Sequence, residues 1–420
     1  MIQTIPLLPG ITLRCFPDSR FKQGTLSLQM VRPMAKSENA LNALLPAVLL
    51  RGTAQHPDLR AITHRLDDLY GAAVGAVVRR VGDYQTTGLS CGFMEDRFAL
   101  EGDRVLAPML EFLGQLLLEP ALEDGVFRAD YLESEKRNLI LSIEAQRNDK
   151  RIYAGARLTK LMCKADSFGI PRLGTVKQVE AITAEALYAH YRKILRESPM
   201  ELFYIGSADP QTVAGLLRPI LSKIPRDPMT LPAQTAFQDG GTGEHTEQME
   251  VAQGKLCMGF VTPVTLRDPG FVAMQVFNTL FGSGMINKLF MQIREKMSLC
   301  YDIGSGYHGS KGILTVSAGI ECSQKDLVQT EVLRQLEACQ TGNITDEELR
   351  SAKESLISQL RATHDSPAAI EGYYATATLS GLQLTPEAYR QTVETVTKED
   401  VMAAAQSLRL HTVFFLKGVQ

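Results

Sequence analysis

The stretch Phe281–Tyr301 reads FGSGMINKLFMQIREKMSLCY. A Gly-rich turn opens it, a helix follows, and Arg294-Glu295-Lys296 comes near the helix end, which Ser298 and Cys300 place close to Leu299. Arg294 and Tyr301 stand seven residues apart, two helical turns if the helix ran on. From the residue types alone, Arg294 pairs with Glu295 or another nearby acid and Tyr301 is a core side chain at a helix end. A reading in which both face a ligand stays open. The segment Phe281-Gly-Ser-Gly-Met285 is a close-packed turn and not a phosphate cradle, since no Lys-Ser/Thr follows it.

Working outward, the chain repeats itself. GTLSLQMVRP at Gly24–Pro33 answers GKLCMGFVTP at Gly254–Pro263, with glycine, leucine, valine and proline in the same places and a period-2 pattern between them. Gly52-Thr53 answers Gly282-Ser283, Ser90-Cys-Gly92 answers Ser317-Ala-Gly319, and Ser134-Glu-Lys136 answers Ser351-Ala-Lys353. Val179–Thr183 answers Val393–Thr397, and Leu202-Phe-Tyr answers Val413-Phe-Phe. The order is kept while the offset shrinks, which points to a duplicated domain of about 200 residues per copy.

Within each copy the pattern is strand, two helices, strands, long helices, helix, strand. Ser37 or Asn39 is the expected cap of a helix running to about Leu50, kinked or restarted at Pro46. A second helix spans Pro57–Tyr70, and a strand spans Asp83–Phe93. Long helices are expected over 99–118, 126–148, 325–339 and 345–364. This makes an α+β fold of two homologous domains, each a mostly antiparallel sheet with helices packed on one face. The expected domains are 1–226 and 249–420, with 227–248 as linker because PRDPMTLPAQ and a Gly-Gly-Thr-Gly run break both periodicities.

The composition is that of an ordinary globular protein, with 45% hydrophobic and 22% charged residues. A net charge of -3 gives nucleic acid and anionic membranes no purchase. The first sixteen residues lack a basic start and a long apolar run, and the apolar run Leu44–Leu50 is far too short for a bilayer, so a cytoplasmic chain is expected. Seven scattered cysteines with no Cys-x-x-Cys pair form neither a disulfide framework nor a zinc knuckle and read as reduced thiols.

The Gly-rich turn, the helix with Arg-Glu-Lys, and the following Tyr resemble a signature of the pitrilysin/insulinase (inverzincin) metallopeptidase family. The Asp365-Ser-Pro367 segment after a long helix is another such trait, and the resemblance covers essentially the whole chain. That family carries His-x-x-Glu-His four residues ahead of Gly-Thr. Counting back from Gly52-Thr53, the two ligand positions fall on Ala43 and Ala47 and the catalytic Glu position on Pro46. A methyl cannot bind zinc and proline cannot take a proton. Glu144 stands loosely where the distal Glu ligand belongs, ahead of Asp149-Lys150; a solvated helix glutamate is the plainer reading. No metal is therefore expected in this chain.

The resemblance is to the bacterial two-subunit branch, and within it to the metal-free proteins similar to those labelled elongation factor P modification-associated. It implies that the partner is a zinc-bearing insulinase-like subunit. This chain would supply Arg294 to hold a peptide substrate and Tyr301 to donate to the scissile carbonyl. It would be inactive alone, with homodimers open in isolation. The competing implication is an inert peptide-binding or scaffolding pseudopeptidase.

Overall fold

The structure, a computed structural model, describes residues 2–418. The first half of the chain runs β1 (Gln3–Leu8), β2 (Ile11–Pro17), β3 (Gln23–Pro33), α1 (Asn39–Leu49), α2 (Leu59–Asp68), β4 (Ala73–Val81), β5 (Tyr84–Met94) and α3 (Leu106–Leu118). A small hairpin follows (β6, Leu122–Glu123; β7, Val126–Phe127), then α4 (Ala129–Asn148), α5 (Lys150–Met162), α6 (Val176–Glu180), α7 (Ala184–Glu197), β8 (Met200–Gly206) and α8 (Pro210–Leu221). The second half begins with β9 (Gly243–Met249), β10 (Gly254–Val261) and α9 (Phe271–Asn278). Two π-helical segments, Thr279–Ser283 and Phe290–Lys296, precede β11 (Cys300–His308) and β12 (Ile313–Ile320). Helices α10 (Lys325–Gln340), α11 (Asp346–Ala362), α12 (Pro367–Ser380), α13 (Pro386–Thr395) and α14 (Lys398–Gln406) lead to β13 (Arg409–Gly418).

Contacts gather the chain into two units that one cut does not separate. The first holds the chain up to Glu144, Pro171–Ala233 and His364–Thr376. The second holds Ala145–Ile170, Gln234–Thr363 and the chain from Ala377 onward. The division expected at 227–248 follows the sequence repeat, whereas packing assigns a piece of each half to the other unit.

The sheet of the first unit has the order β1-β2-β8-β3-β5-β4, antiparallel except for β2 beside β8. That of the second has the order β11-β12-β10-β13-β9, antiparallel except for β13 beside β9. The matched strands β3 and β10 are thus central, and their registers coincide. Ser27 faces Ser90 as Cys257 faces Ser317, and Leu28 faces Leu202 as Met258 faces Val413. A one-residue slip would turn every core side chain to the wrong face, so the shared register fixes the two copies as one architecture.

On one face of the first sheet, Leu26, Leu28, Met30, Leu202 and Tyr204 pack with apolar residues of α1, α3, α7 and α8 into the main core. The other face is covered too. Phe203 and Ile205 pack against Ile370 and Ala375 of α12, and the buried Glu371 carboxylate accepts from Ser27 Oγ (2.7 Å), Gln29 Nε2 (2.7 Å) and both terminal nitrogens of Arg79 (2.9 and 2.8 Å). In the second unit Ala154 and Leu158 of α5 cover Cys257, Phe414 and Leu416 in the same manner. Each sheet therefore carries a helix on its second face besides the layer expected on one. That explains why β3 and β10 are buried almost without interruption.

Three local expectations change. The helix α1 is preceded by Glu38, whose side chain makes no cap and instead binds Arg32 and Lys193. Helix α1 runs on through Pro46 without restarting. Residues 243–248 of the expected linker belong to β9, paired in parallel with β13.

Candidate functional site

Two places answer to the residues singled out in the sequence, one in each unit. In the first, Ala43 and Pro46 are buried on α1 and Ala47 is half-buried. Pro46 has no N–H for the carbonyl of Asn42, the bond an α-helix makes four residues back. That carbonyl is not left bare: the Thr87 hydroxyl of β5 donates to it at 2.6 Å. The neighbouring side chains close a network. His190 Nε2 lies 2.7 Å from Asn42 Oδ1, Asn42 Nδ2 donates to Gln85 Oε1 at 2.9 Å, and Gln85 Nε2 donates to the carbonyls of Asn39 (3.0 Å) and Arg172 (2.7 Å). Burial pushes the His190 pKa down to about 4, so this imidazole stays neutral at neutral pH.

The residues of α1 do not fit a zinc ion. The three motif positions carry two methyls and a pyrrolidine ring, and the nearby polar atoms are bound to one another. Glu144 is exposed near the end of α4. Among the described residues no group of three or more His, Cys, Asp or Glu could hold a metal. Sequence reading missed the Asn39–Asn42–Gln85–Thr87–His190 network, because its bonded partners are separated by up to 148 positions and only the β5–α1–α7 packing joins them.

The second place is the stretch that opened the reading. The α9 helix loosens into π-helical Thr279–Ser283, turns at Gly284, and re-forms through Lys288–Leu289 into π-helical Phe290–Lys296. A glycine is needed at 282 because a Cβ there would lie 2.6 Å from Ser305 Oγ and 2.8 Å from the Ser305 nitrogen. Gly52, its counterpart, meets the Pro57 carbonyl oxygen at 2.5 Å in the same test. The π-winding ends with Met297 N bonded to Gln292 O (3.1 Å) and Leu299 N bonded to Ile293 O (3.0 Å). Ser298 then takes φ of +54°, a left-handed backbone that non-glycine residues adopt at a cost.

Strand β11 begins at once, and its pairing with β12 slips between Cys300 and Asp302, leaving Tyr301 without a cross-strand partner. Such bulges re-aim side chains. Tyr301 stands 61% exposed, not in a core. Arg294 is also exposed. Its guanidinium stacks over the Phe290 ring at 4.8 Å from the centroid, and its nearest acid, Glu295, lies at 3.8 Å, beyond a close ion pair. Arg294, Glu295, Ser298, Cys300, Tyr301, Glu321 and Gln324 line one open cleft of about 540 Å³ together with Leu299. Burial pushes the Cys300 thiol up to about 11, so it is no thiolate nucleophile. The cleft offers N–H and O–H donors beside carboxylate and amide acceptors, the two kinds of partner a peptide bond needs.

With that geometry in hand the relatives become informative. A protein described as "Probable inactive metalloprotease YmfF" from Bacillus subtilis (strain 168) is 30% identical over 411 residues, 98% of this chain and 96% of its own length. This chain belongs to the M16 peptidase family. The family profile "Peptidase M16 inactive domain" matches residues 181–356. An uncharacterised zinc protease of Streptomyces coelicolor is 27% identical over 58% of this M16 chain and 55% of its own length. Among solved structures, a conserved protein from Enterococcus faecalis V583 superposes with a TM-score of 0.93 at 27% identity, covering 100% and 99% of the two chains. A peptidase M16 inactive domain from Pseudomonas fluorescens gives a TM-score of 0.83 at 18% identity, covering 100% and 98%. The insulinase-like relationship and the α+β fold read from the sequence are thereby established. No helix among the described residues is long and apolar enough to cross a membrane.

Proposed function

We propose that this M16 chain is the metal-free subunit of a heterodimeric zinc endopeptidase, presenting Arg294 and Tyr301 to a peptide held at the zinc site of an insulinase-like partner. The observation that carries this reading is the exposure of both side chains on one cleft, where neither has the tight partner that a purely structural role would give it. A guanidinium can hold a peptide carbonyl or terminal carboxylate with two parallel bonds. A tyrosine hydroxyl aimed at the carbonyl under attack stabilises the developing oxyanion, an effect of about 2.7–4 kcal/mol per donor in a water-poor site. The partner supplies zinc and base. Seven unpaired cysteines suit a reducing, cytoplasmic setting.

The competing reading is an inert peptide-binding scaffold, favoured by the loss of all three motif side chains on α1. Reconstitution with a zinc-bearing insulinase-like relative separates them. Arg294→Ala and Tyr301→Phe each lower peptide turnover at least tenfold while the pair still assembles on size exclusion. Unchanged turnover in both variants would establish the scaffold.

A further inference from the structure

The turn that ends the second π-helical segment holds a residue its backbone does not favour. Among the described residues four that are not glycine take positive φ: Tyr70, Glu101, Asp124 and Ser298. The first three each stand directly ahead of a glycine in the same conformation, Gly71, Gly102 and Gly125, whereas Ser298 is followed by leucine. A left-handed residue closing a helix is normally glycine, and α10 and α12 end that way, at Gly342 and Gly381. Where α2 closes on Tyr70 instead, the side chain is used: its hydroxyl donates to Asp103 Oδ2 and accepts from Leu100 N at 3.1 Å. The Ser298 hydroxyl has no hydrogen-bond partner among the described residues. What Ser298 does is line the cleft, with Arg294 and Tyr301.

We infer that Ser298 is a third peptide-binding residue of that cleft, its Oγ accepting a backbone N–H of the peptide whose carbonyl oxygens Arg294 and Tyr301 hold. This rests on the reading of Arg294 and Tyr301 given above and adds the contact to the other half of the peptide bond. Three observations carry it. The first is complementarity: a guanidinium has five donors and no acceptor, Tyr301 donates in that reading, and a hydroxyl oxygen has lone pairs to offer an amide. The second is placement. Ser298 N is bonded to the Arg294 carbonyl at 3.1 Å and Leu299 N to the Ile293 carbonyl at 3.0 Å, so the backbone under the hydroxyl is pinned to the turn that carries the arginine. A serine oxygen on a fixed backbone has one torsion to settle, whereas Glu295, Glu321 and Gln324 in the same cleft have longer side chains to immobilise. The third is cost: glycine at 298 would relieve the left-handed strain and differs from serine there by the loss of the side chain that faces the cleft.

The test uses the full chain reconstituted with a zinc-bearing insulinase-like relative, an internally quenched unstructured peptide, and Ser298→Gly and Ser298→Ala beside Arg294→Ala and Tyr301→Phe. Ser298→Gly raises the urea midpoint of the chain, while Ser298→Ala keeps the Cβ and does not raise it. Both lower kcat/KM at least fivefold with the pair still assembled on size exclusion, so the more stable variant is the poorer subunit. Copies of the peptide N-methylated at one amide at a time locate the bond. At one position the methyl costs the wild-type pair at least fivefold and the Ser298→Ala pair less than twofold. If Ser298→Gly gains stability and keeps kcat/KM within twofold, the serine is only a strained cap and the inference falls. A loss in Ser298→Gly that Ser298→Ala does not share assigns the effect to the backbone and overturns it equally. So does a methyl penalty that is the same for wild type and Ser298→Ala at every position. Where Arg294→Ala and Tyr301→Phe lower turnover in the same assay, the reading of those two stands and only the role of Ser298 is lost. If all four variants turn peptide over as the wild type does, the peptidase-subunit reading fails and the role of Ser298 with it.

Discussion

Thr87→Val removes one hydroxyl and nearly preserves side-chain shape, which makes it a clean probe of how α1 tolerates a proline. Asn42 and Thr87 are both fully buried, and the Thr87 hydroxyl donates at 2.6 Å to the carbonyl that Pro46 cannot serve. With valine at 87 that acceptor has neither a helical N–H nor a hydroxyl. A buried polar group left in this way costs about 1–3 kcal/mol, a shift of roughly 5–150-fold in the folded population. In a Pro46→Ala background residue 46 regains its N–H, the Asn42 carbonyl is served within the helix, and Thr87→Val costs less than about 0.5 kcal/mol. The two substitutions are therefore coupled by about 1 kcal/mol or more. Urea unfolding followed by circular dichroism on the four chains of the cycle measures this. If Thr87→Val costs the same with proline and with alanine at 46, the hydroxyl is not standing in for the missing N–H, and the account of α1 fails.

Four further outcomes follow from other contacts. Phe290→Leu, which removes the ring beneath the Arg294 guanidinium, raises the KM of the reconstituted pair several-fold, and Phe290→Tyr restores it; equal values for both variants would show that the ring does not position the arginine. His190 has a folded pKa near 4 against an ordinary 6.5, so the unfolded chain takes up the proton first. Its contribution is complete above about pH 6.5 and is lost as pH falls toward about 4; His190→Gln should flatten that part of the stability profile, read from denaturation midpoints. Lys311 and Asp166 are 0% and 1% exposed with charged atoms 2.9 Å apart, and Lys311→Met strands the carboxylate at a cost of about 3–5 kcal/mol in urea, much of it recovered by adding Asp166→Leu. Elemental analysis of the purified chain after equilibration with zinc gives well under one equivalent per chain.

Much of the fold was legible because a repeat tests itself. Two strands matched at Gly24–Pro33 and Gly254–Pro263 proved to be the central strands of two sheets in one register. Helix ends were legible only in part: the helix expected over 345–364 runs Asp346–Ala362 behind a capping box closed by Thr345, whereas the cap expected at Ser37 or Asn39 does not form. What could not be read was anything carried by long-range contact. Residues 145–170 and 364–376 look like ordinary helices, and no periodicity tells which sheet they cover. Glu371 reads as a surface glutamate until Ser27, Gln29 and Arg79 are seen to converge on it. The two π-helical segments were also silent, because their residues scan as an α-helix and only the backbone bonding distinguishes them.

The two copies share a register yet carry different loads. In the first copy, α1 is packing: its buried amides, the imidazole of His190 and the Thr87 hydroxyl bind one another, and the backbone defect at Pro46 is repaired from a neighbouring strand. In the second copy, departures from regular structure accumulate within a short stretch. Two π-helical segments, a serine at φ +54° and a bulge at Tyr301 each cost free energy, and together they turn an arginine, a tyrosine and three methionines outward. Packing alone would favour the opposite, since a regular helix and strand would bury those apolar side chains. Local strain persists where the surrounding structure enforces it, and it concentrates where a surface has work to do. The proposed function agrees with this contrast: the peptide contacts it assigns to Arg294 and Tyr301 fall in the copy where regular structure is broken, and not beside the satisfied α1.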